Sequence, residues 1–557
     1  MRRSILAVAS CLALVAALSA FDRQPTAPDP ARVDAVFAKW TATTPGCAVG
    51  VAKDGRPVLE KAYGMADLEH DAPNAADTIF EAGSVSKQFT AAAVLLLARD
   101  GKLSLDDQAR KYIPELPDYG KPLTIRHMLT HTSGLRDWGE VESIAGWPRT
   151  SRVYTHAHVL DIVSRQKSLN FEPGTNWSYC NTGYNLAAII VSRVSGMPFA
   201  EFCRVRIFEP LGMTRTSWRD DFRRIVRGRA IAYSEAKDGY RQNMPFENVH
   251  GNGGLLTTVG DLLRWNENAV TQKVGDAEFL REQTQPGRFN NGKPHDYAMG
   301  LYIRPFMNVP EIGHSGSTAG YRAYLARFPK QHLSVAVLCN VSTGEAERAA
   351  HQVAVLYLMD AIAAQTRGAV DLHHDDILAP AMSAYAGLYQ NTLTGVPLSF
   401  VAGKAVGTLA IEGAATPENT ISYNGERSGE ALFQPLDGGR MFYFRGGESL
   451  RVANANGTIE NYERVERAAP SADELRGLAG SYSSDEAETI LEVAVNGGAL
   501  IVQRRPDTVI ALRPVYKDAF SGQGLGLVRF RRDAAGKVTA LSVIVDRVWD
   551  LRFERVK

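Results

Sequence analysis

The chain has 557 residues, of which 45% are hydrophobic. A chain of this length is too long for a single hydrophobic core, and roughly two to four globular domains are expected. Its 62 basic and 61 acidic residues leave a formal net charge of +1, and they are spread along the chain without the basic stripe of a protein that binds nucleic acid or a membrane surface. Small-molecule or peptide partners are therefore expected, and the oligomeric state is left open.

The first twenty residues have the pattern of a secretory signal. Arg2 and Arg3 precede an apolar stretch over residues 5–18, and the small residues Ser19 and Ala20 follow it. The stretch is short for a membrane-spanning helix, and the small residues are typical of a cleavage site. We predict a signal peptide over residues 1–20 and an exported protein, periplasmic or secreted.

Four cysteines remain after such a cleavage: Cys47, Cys180, Cys203 and Cys339. Cys47 and Cys339 both lie in apolar, strand-like runs, so one disulfide between them is conceivable in an oxidising compartment. The spacing is not that of a disulfide framework, and we expect buried free thiols.

Periodicity over residues 21–366 predicts one large α/β (α+β) domain. Strand-like runs lie near both ends of this region, and helical runs lie between them and at its close. Both ends of the region are expected to form one antiparallel sheet against which the helices pack. The strand-like runs are 46–63, 321–328 and 333–340, and the helical runs are 91–97, 186–194 and 345–362.

The rest of the chain contains an internal repeat after a polar linker at 367–380. The sequence AGLY at 386–389 is matched by AGSY at 479–482, and YERV at 462–465 is matched by FERV at 553–556. Short alternating runs separated by Gly, Asn and Asp turns are typical of small antiparallel barrels or sandwiches. We predict two similar all-β, barrel-like modules, over 381–468 and 471–557.

Ser84 is the candidate nucleophile and Lys87 its candidate base. Ser84 follows Gly83 directly, and an apolar helix over about 89–98 begins just after Lys87. The i, i+3 spacing places both side chains on one face, and the helix N-terminus provides N–H groups and a positive dipole end for an oxyanion. A lysine desolvated there has a lowered pKa and can accept the serine proton.

Two other Ser-x-x-Lys sequences occur in the chain, Ser164 with Lys167 and Ser234 with Lys237. Neither combines a preceding glycine turn with a following buried helix. We interpret both as structural.

Two further motifs carry candidate site residues. Tyr179 and Asn181 lie on a loop before the helical run at 186–194, where a tyrosine can relay protons and an asparagine can bind both the lysine and a substrate carbonyl. His314, Gly316 and Ser317 lie just before the strand at 321–328. The glycine allows a sheet edge to approach substrate closely, and the Ser317 N–H can form an oxyanion hole with that of Ser84.

The chain resembles the serine β-lactamase and penicillin-binding protein superfamily on its class C side, because it contains the motifs S-x-x-K, Y-x-N and H-x-G in that order. The third motif, H-x-G, stands in place of K-T-G. The resemblance covers about residues 30–365. It includes three further stretches that are typical of the carboxypeptidase, esterase and D-aminopeptidase members of the superfamily, at 129–135, 210–213 and 253–258. It implies a β-lactamase/transpeptidase-like domain with a central antiparallel sheet flanked by helices.

Carried over by motif, Ser84 is the nucleophile, Lys87 and Tyr179 are the base and proton relay, and Asn181 positions substrate. His314 is an electrostatic or proton-donating group at the sheet edge. It replaces the cationic lysine that binds a β-lactam carboxylate, and histidine is mostly neutral at neutral pH, so efficient penicillin hydrolysis is not expected.

A hydrolase domain followed by two similar β modules resembles the bacterial D-aminopeptidases. We therefore predict acyl-enzyme hydrolysis of D-amino-acid-containing peptides, amides or related esters, of a D-aminopeptidase or DD-carboxypeptidase kind. No cofactor and no metal are expected, because His127 and His131, although four residues apart, have neither a glutamate base nor a third ligand between or beside them. The alternatives are a broad-scope esterase, a β-lactamase and a non-turnover penicillin- or muropeptide-binding protein, and the β modules permit binding to cell-wall material.

Overall fold

The structure is a computed structural model that describes residues 29–366, 380–412, 419–435 and 439–556. The predicted signal peptide at 1–20 and all but the last residue of the predicted linker at 367–380 lie outside the described residues. The predicted domain boundaries stay predictions.

The first 366 residues contain thirteen described strands and eleven described α-helices. The strands are β1 Cys47–Lys53, β2 Arg56–Tyr63, β3 Met65–Asp67, β4 Ala72–Pro73, β5 Phe80–Glu81, β6 Ser217–Trp218, β7 Tyr233–Ala236, β8 Gly239–Gln242, β9 Leu255–Thr257, β10 Tyr302–Phe306, β11 Val309–Thr318, β12 Tyr321–Phe328 and β13 Leu333–Cys339. The helices are α1 Pro30–Phe37, α2 Lys87–Arg99, α3 Ile125–Leu129, α4 Trp138–Ile144, α5 His156–Ser164, α6 Asn181–Ser195, α7 Phe199–Cys203, α8 Glu209–Leu211, α9 Val259–Thr271, α10 Ala277–Thr284 and α11 Ala346–Thr366.

A six-stranded antiparallel sheet in the order β10-β11-β12-β13-β1-β2 forms the centre of this domain. Strands from both ends of the region meet where β1 pairs with β13, as the sequence predicts. Alternate residues of β13 enter different cores: Val335 and Val337 pack with α1 and α11, and Ala336 and Leu338 pack with the layer that contains α2 and α6. Because successive side chains point to opposite faces, the sheet is buried on both faces between helices.

A disulfide joins Cys47 to Cys339. The two residues are register partners in the β1–β13 pair, with their Cα atoms 4.0 Å apart. The expectation of free thiols was wrong for this pair, since two distant apolar runs become neighbours only once the sheet forms. Cys180 and Cys203 are buried free thiols, as expected.

Helix α2 lies at the centre of the domain and is buried along nearly its whole length, from Lys87 to Leu97. Its apolar residues surround the axis rather than forming one stripe, which is the pattern of a core helix. A 3₁₀ turn over Gly83–Ser86 leads directly into it. Core packing on all sides of α2 therefore fixes the position of Ser84 and Lys87.

Two closed antiparallel barrels of eight strands each follow. The first consists of β14 Gly387–Asn391, β15 Pro397–Ala402, β16 Thr408–Ile411, β17 Thr420–Arg427, β18 Glu430–Pro435, β19 Arg440–Arg445, β20 Ser449–Asn454 and β21 Ile459–Val465. After helix α12 Ala472–Leu478, the second consists of β22 Gly480–Ser484, β23 Thr489–Asn496, β24 Ala499–Arg504, β25 Thr508–Tyr516, β26 Ala519–Gly522, β27 Gly526–Arg532, β28 Val538–Val545 and β29 Val548–Arg555.

The repeated tyrosines have the same role in both barrels. The hydroxyl of Tyr389 donates to the Tyr385 carbonyl at 2.9 Å, and that of Tyr482 donates to the Leu478 carbonyl at 2.8 Å. Each bond ties the first strand of its barrel to the segment that precedes it. The predicted fold class, a sheet-and-helix domain followed by two barrels, is confirmed.

Among the described residues, no single helix is long and apolar enough to cross a membrane, although the bent pair Asn181–Ser195 and Phe199–Leu211 together has the length and composition of a span.

Candidate active site

Lys87 makes three hydrogen bonds at the base of a cavity. Its Nζ lies 3.1 Å from Ser84 Oγ and donates to Asn181 Oδ1 at 2.9 Å and to the Asn252 carbonyl at 2.8 Å, so that in the neutral amine the lone pair is left for the Ser84 hydroxyl. The side chain is fully buried. The predicted nucleophile, base and positioning residue are therefore in direct contact.

Burial is the largest cause that lowers the pKa of Lys87 well below its ordinary 10.5, and the charge of Arg547 lowers it further. An amine in the low-dielectric interior loses hydration energy when it is charged, so its neutral form is favoured. Neutral Lys87 can accept the proton of the Ser84 hydroxyl, which it already contacts.

Tyr179 lies close to both Ser84 and Lys87. Lys87 Nζ is 4.7 Å from the centre of the Tyr179 ring. Burial raises the pKa of the Tyr179 phenol, and a hydrogen bond with Ser84 only partly opposes that rise. Tyr179 is therefore a phenol at neutral pH, which suits it to donate and relay a proton rather than to begin as a phenolate.

The loop that carries Tyr179 is held by two residues that the sequence analysis did not assign. The N–H of Asn181 donates to Asp137 Oδ2 at 2.7 Å, and that of Cys180 donates to His131 Nδ1 at 3.1 Å. The imidazole of His131 is fully buried, with its centre 4.3 Å from that of the Tyr179 ring. His131 and Asp137 thus hold in place the loop of the candidate proton relay.

The edge of strand β11 packs against the turn that carries Ser84. A Cβ on Gly316 would stand 2.0 Å from the Ala82 carbonyl oxygen, and one on Gly83 would stand 2.5 Å from the Ser317 nitrogen. Gly83 also has φ +51°, a left-handed conformation that glycine adopts without strain. The two backbones touch only because both residues lack a side chain, and this contact brings the Ser317 nitrogen beside the nucleophile turn.

His314 is buried and neutral. Burial and the charge of Lys87 lower its pKa to about 3. Its Nδ1 lies 2.6 Å from the Ser315 carbonyl oxygen and its Nε2 lies 3.0 Å from the Tyr297 hydroxyl. Because a carbonyl only accepts, Nδ1 carries the proton and Nε2 accepts from Tyr297. His314 therefore supplies no positive charge to the site.

The site is a cavity of about 470 Å³. It contains most of the predicted residues and four charged side chains that the sequence analysis did not single out. The residues lining it are Glu81, Gly83, Ser84, Arg149, Tyr179, Asn181, Arg219, Asn252, Gly253, Tyr302, His314, Ser315, Ser317, Thr318 and Arg547.

The second barrel contributes Arg547 to this cavity. Asp546 and Arg547 form the two-residue turn between β28 and β29, and the guanidinium carbon lies 5.0 Å from the centre of the Tyr179 ring. Asn170 of the large domain holds the turn on both sides, since its Nδ2 donates to the Arg547 carbonyl at 3.0 Å and its Oδ1 accepts from the Trp549 N–H at 3.0 Å. No local sequence pattern marks an arginine in a hairpin turn as part of a distant site.

The two other Ser-x-x-Lys sequences lack this environment. Lys167 is paired with Asp485 at 3.0 Å and its side chain is 66% exposed, and this pairing raises its pKa. Ser164 and Lys167 line a cleft of about 920 Å³, which is larger than the Ser84 cavity but offers no desolvated base among its lining residues. Ser234 lies in the β7–β8 hairpin, where it accepts a hydrogen bond from Asn243.

One group of described residues brings three possible metal-ligand atoms within 4.8 Å of one another: Asp67, Glu69 and His70. It lies on the surface, where the Asp67 carboxylate is already bonded to His70 and to the Glu69 N–H. None of the three lines the Ser84 cavity.

A family model described as beta-lactamase matches residues 33–358 of this chain. The chain belongs to the beta-lactamase family. This confirms the resemblance inferred from the motifs.

One relative matches nearly the whole chain and another matches about half of it. This chain is 28% identical over 519 residues to a D-aminopeptidase of Brucella anthropi, with 90% of this chain and 93% of that protein covered. It is 30% identical over 309 residues to penicillin-binding protein 4* of Bacillus subtilis, with 52% of this chain and 66% of that protein covered.

Two solved structures are similar in fold. An octameric penicillin-binding protein homologue from Pyrococcus abyssi matches with a TM-score of 0.54 and 24% identity, over 78% of this chain and all of that chain. The D-amino acid amidase from Ochrobactrum anthropi SV3 matches with a TM-score of 0.51 and 21% identity, over 59% of this chain and 99% of that chain.

Proposed function

We propose that this protein is a D-stereospecific serine hydrolase that cleaves D-amino-acid-containing peptides, amides or related esters through an acyl-enzyme on Ser84. The observation that carries the proposal is the contact between Ser84 Oγ and the buried amine of Lys87 at 3.1 Å. A hydroxyl next to a desolvated amine is an activated nucleophile.

In the first half of the reaction, Lys87 accepts the Ser84 proton while Oγ bonds to the substrate carbonyl carbon. The carbonyl π electrons move to oxygen, and the N–H groups of Ser84 and Ser317 stabilise that oxyanion. When the intermediate collapses, the bond to the leaving nitrogen or oxygen breaks. Tyr179 gives its phenolic proton to the leaving group and regains one from the Lys87 ammonium.

In the second half, a water molecule attacks the acyl-enzyme. Its proton passes back through Tyr179 and Lys87 to Ser84 Oγ as the ester bond breaks, which restores the resting site. No step needs an oxidant, a metal or a cofactor.

The substrate class rests on the relatives. The D-aminopeptidase match extends over 519 residues and therefore includes the region of both barrels. Because the second barrel supplies Arg547 to the cavity, a relative that matches along nearly its full length is a better guide to the substrate than one that matches the large domain alone.

The test is intact-protein mass against time, with product release, after mixing with D- and L-alanyl amides, short p-nitrophenyl esters and benzylpenicillin. Ser84→Ala is compared with wild type, and Ser164→Ala is the matched control because it removes the serine of a second Ser-x-x-Lys sequence. We expect D-selective turnover and an adduct in wild type and Ser164→Ala only.

Other outcomes would replace the proposal. Turnover of esters without D-selectivity would make the protein an esterase. Turnover of penicillin would make it a β-lactamase, and an adduct that persists would make it a non-turnover binding protein. Equal behaviour of wild type and Ser84→Ala would remove Ser84 from the mechanism.

We also propose that the protein is exported, supported by the predicted signal at 1–20 and by the disulfide between Cys47 and Cys339, since disulfides persist in oxidising compartments. The N-terminal sequence of the mature protein from cell fractions tests this. A cytoplasmic protein that retains Met1 would contradict it.

A further inference from the structure

We infer that Arg547 is a specificity residue that binds a substrate carboxylate, so that the preferred D-amino-acid substrates are ones that carry a free carboxylate group. The inference rests on the proposed function, because it names the substrate class of the same site.

Two of the three arginines that line the cavity are already engaged by glutamates. Arg219 makes a bidentate pair with Glu81, at 2.8 and 3.1 Å. Arg149 pairs in the same way with Glu247, through Nε at 2.9 Å and through a second, shorter contact. In both residues the charge is matched by a carboxylate, although the buried Nη1 of Arg219 has no hydrogen-bond partner.

Arg547 lacks such a partner among the described residues. Its nearest carboxylate contacts are Asp546 at 3.6 Å and Asp137 at 4.0 Å, both beyond hydrogen-bond range. The Asp137 oxygen in question already accepts from the Asn181 N–H at 2.7 Å, and the side chain of Asp546 is 88% exposed. The buried Nε of Arg547 has no hydrogen-bond partner, and an unpaired buried donor is costly unless a ligand satisfies it.

The other basic groups of the site do not compete for an anion. His314 is neutral, with both ring nitrogens engaged. Lys87 is fully buried beneath Ser84 and bonded three times. Glu140 is the remaining acidic group whose charge acts on Arg547, and it does not line the cavity.

Arg547 is also held rigidly enough to recognise a ligand. Its carbonyl accepts from Asn170 at 3.0 Å and from the Asp137 N–H at 3.3 Å, while its guanidinium lies over the Tyr179 ring. A planar guanidinium presents a fixed pair of N–H donors that matches the two oxygens of a carboxylate. Its position beside Tyr179 places that carboxylate within the same substrate that Ser84 attacks.

The kinetic test uses two matched pairs of substrates. D-Alanyl-D-alanine is compared with D-alanyl-D-alaninamide, and N-succinyl-D-alanyl p-nitroanilide with its succinyl methyl ester, so that each pair differs only in one carboxylate. We expect wild type to favour the acid in at least one pair by about 10- to 100-fold in kcat/KM, the range for a charge-assisted hydrogen bond. Arg547→Gln should abolish that ratio, and Arg547→Lys should keep part of it.

Arg505→Gln is the matched control. Arg505 also docks the second barrel, since its Nε donates to the Ala145 carbonyl at 3.0 Å, but it does not line the Ser84 cavity. The acid-to-neutral ratio should be unchanged in this variant. A ratio near one in wild type, or one that survives in Arg547→Gln, would overturn the inference while leaving the acyl-enzyme proposal intact.

A binding measurement decides the inference even if turnover is absent. Calorimetry measures the affinity of the Ser84→Ala variant for N-acetyl-D-alanyl-D-alanine and for its C-terminal amide. The same two ligands are then measured with the Ser84→Ala, Arg547→Gln double variant. We expect the acid to bind at least 10-fold more tightly and to lose this advantage in the double variant. Equal affinity for acid and amide in Ser84→Ala would overturn the inference, whereas failure of the proposed function appears as equal mass kinetics of wild type and Ser84→Ala.

Discussion

Gly316 lies so close to Ala82 that a Cβ on Gly316 would stand 2.0 Å from the Ala82 carbonyl oxygen. Real Cβ atoms do not approach an oxygen so closely, and the obstacle is backbone, which cannot rotate away. The contact joins the edge of the central sheet to the turn that carries Ser84, and it sets the spacing between the two sides of the candidate oxyanion hole.

Gly316→Ala is therefore expected to reduce activity sharply. The methyl group must push β11 away from the nucleophile turn, and a displacement of about 1 Å in a catalytic geometry can cost about 100-fold in rate. We expect kcat/KM to fall by about that factor, with a lower melting temperature. Gly477→Ala is the control, because a Cβ there has nothing within 4 Å; it should leave kcat/KM unchanged and, at a position inside helix α12, should not lower the melting temperature. Wild-type activity in Gly316→Ala would contradict the assignment of this edge to the site.

Lys87→Met is expected to stabilise the protein more at pH 6 than at pH 10. Burial lowers the pKa of Lys87 in the folded state below 10.5. Arg547 and Arg149 lower this pKa further, whereas Asp137 and Cys180 partly oppose the shift. Between that lowered pKa and 10.5, the unfolded chain binds a proton that the folded protein lacks, so the free energy of unfolding rises with pH. Below this window the folded protein must hold a buried ammonium, and methionine removes that cost.

Urea unfolding of Lys87→Met and wild type at both pH values measures this difference. Lys167→Met is the control, since the Lys167 side chain is 66% exposed and should give no such gain at pH 6. An equal effect of Lys87→Met at pH 6 and pH 10 would mean that Lys87 is charged in the folded protein.

Glu486→Gln is expected to destabilise the protein strongly. Arg136 and Glu486 form an ion pair at 2.6 Å between the large domain and the second barrel, with side chains 1% and 7% exposed. Removing one charge leaves the other buried and unpaired, which costs about 3–5 kcal/mol. Because Arg136 precedes Asp137, which anchors the Tyr179 loop, activity should fall as well.

Asp485→Asn is the matched control for this pair. Asp485 also contacts the large domain, through Lys167, but its side chain is 84% exposed, and exposed pairs contribute little to stability. Thermal unfolding of both variants makes the comparison. A similar small loss in both would show that the buried pair does not hold the second barrel in place.

Replacing both Cys47 and Cys339 with serine is expected to lower the free energy of unfolding by about 2–5 kcal/mol, the usual effect of losing a disulfide. The bridge joins residues 292 positions apart in the sequence, and it therefore lowers the conformational entropy of the unfolded chain. Cys203→Ala, at a free thiol, is the control and should cost less. Alkylation of the denatured protein should label Cys180 and Cys203 with or without reduction, and Cys47 and Cys339 only after reduction; labelling of Cys47 and Cys339 without reduction would contradict the bridge.

The sequence by itself was enough to predict the large domain, the two barrels and the contact between Ser84 and Lys87. Each of these depends on local chemistry. Alternating and helical periodicities follow from how side chains project along a strand or helix, and the i, i+3 spacing at a helix start places a hydroxyl and an amine on the same face.

The tertiary structure alone decided what depends on distant segments meeting. The pairing of Cys47 with Cys339 required the two ends of the domain to become adjacent strands. The neutrality of His314 required its burial against Tyr297. Arg547 entered the site because the surface of the second barrel fits against Asn170 and Arg136. Such a fit is set by two folded surfaces, and no periodicity or motif in the chain encodes it.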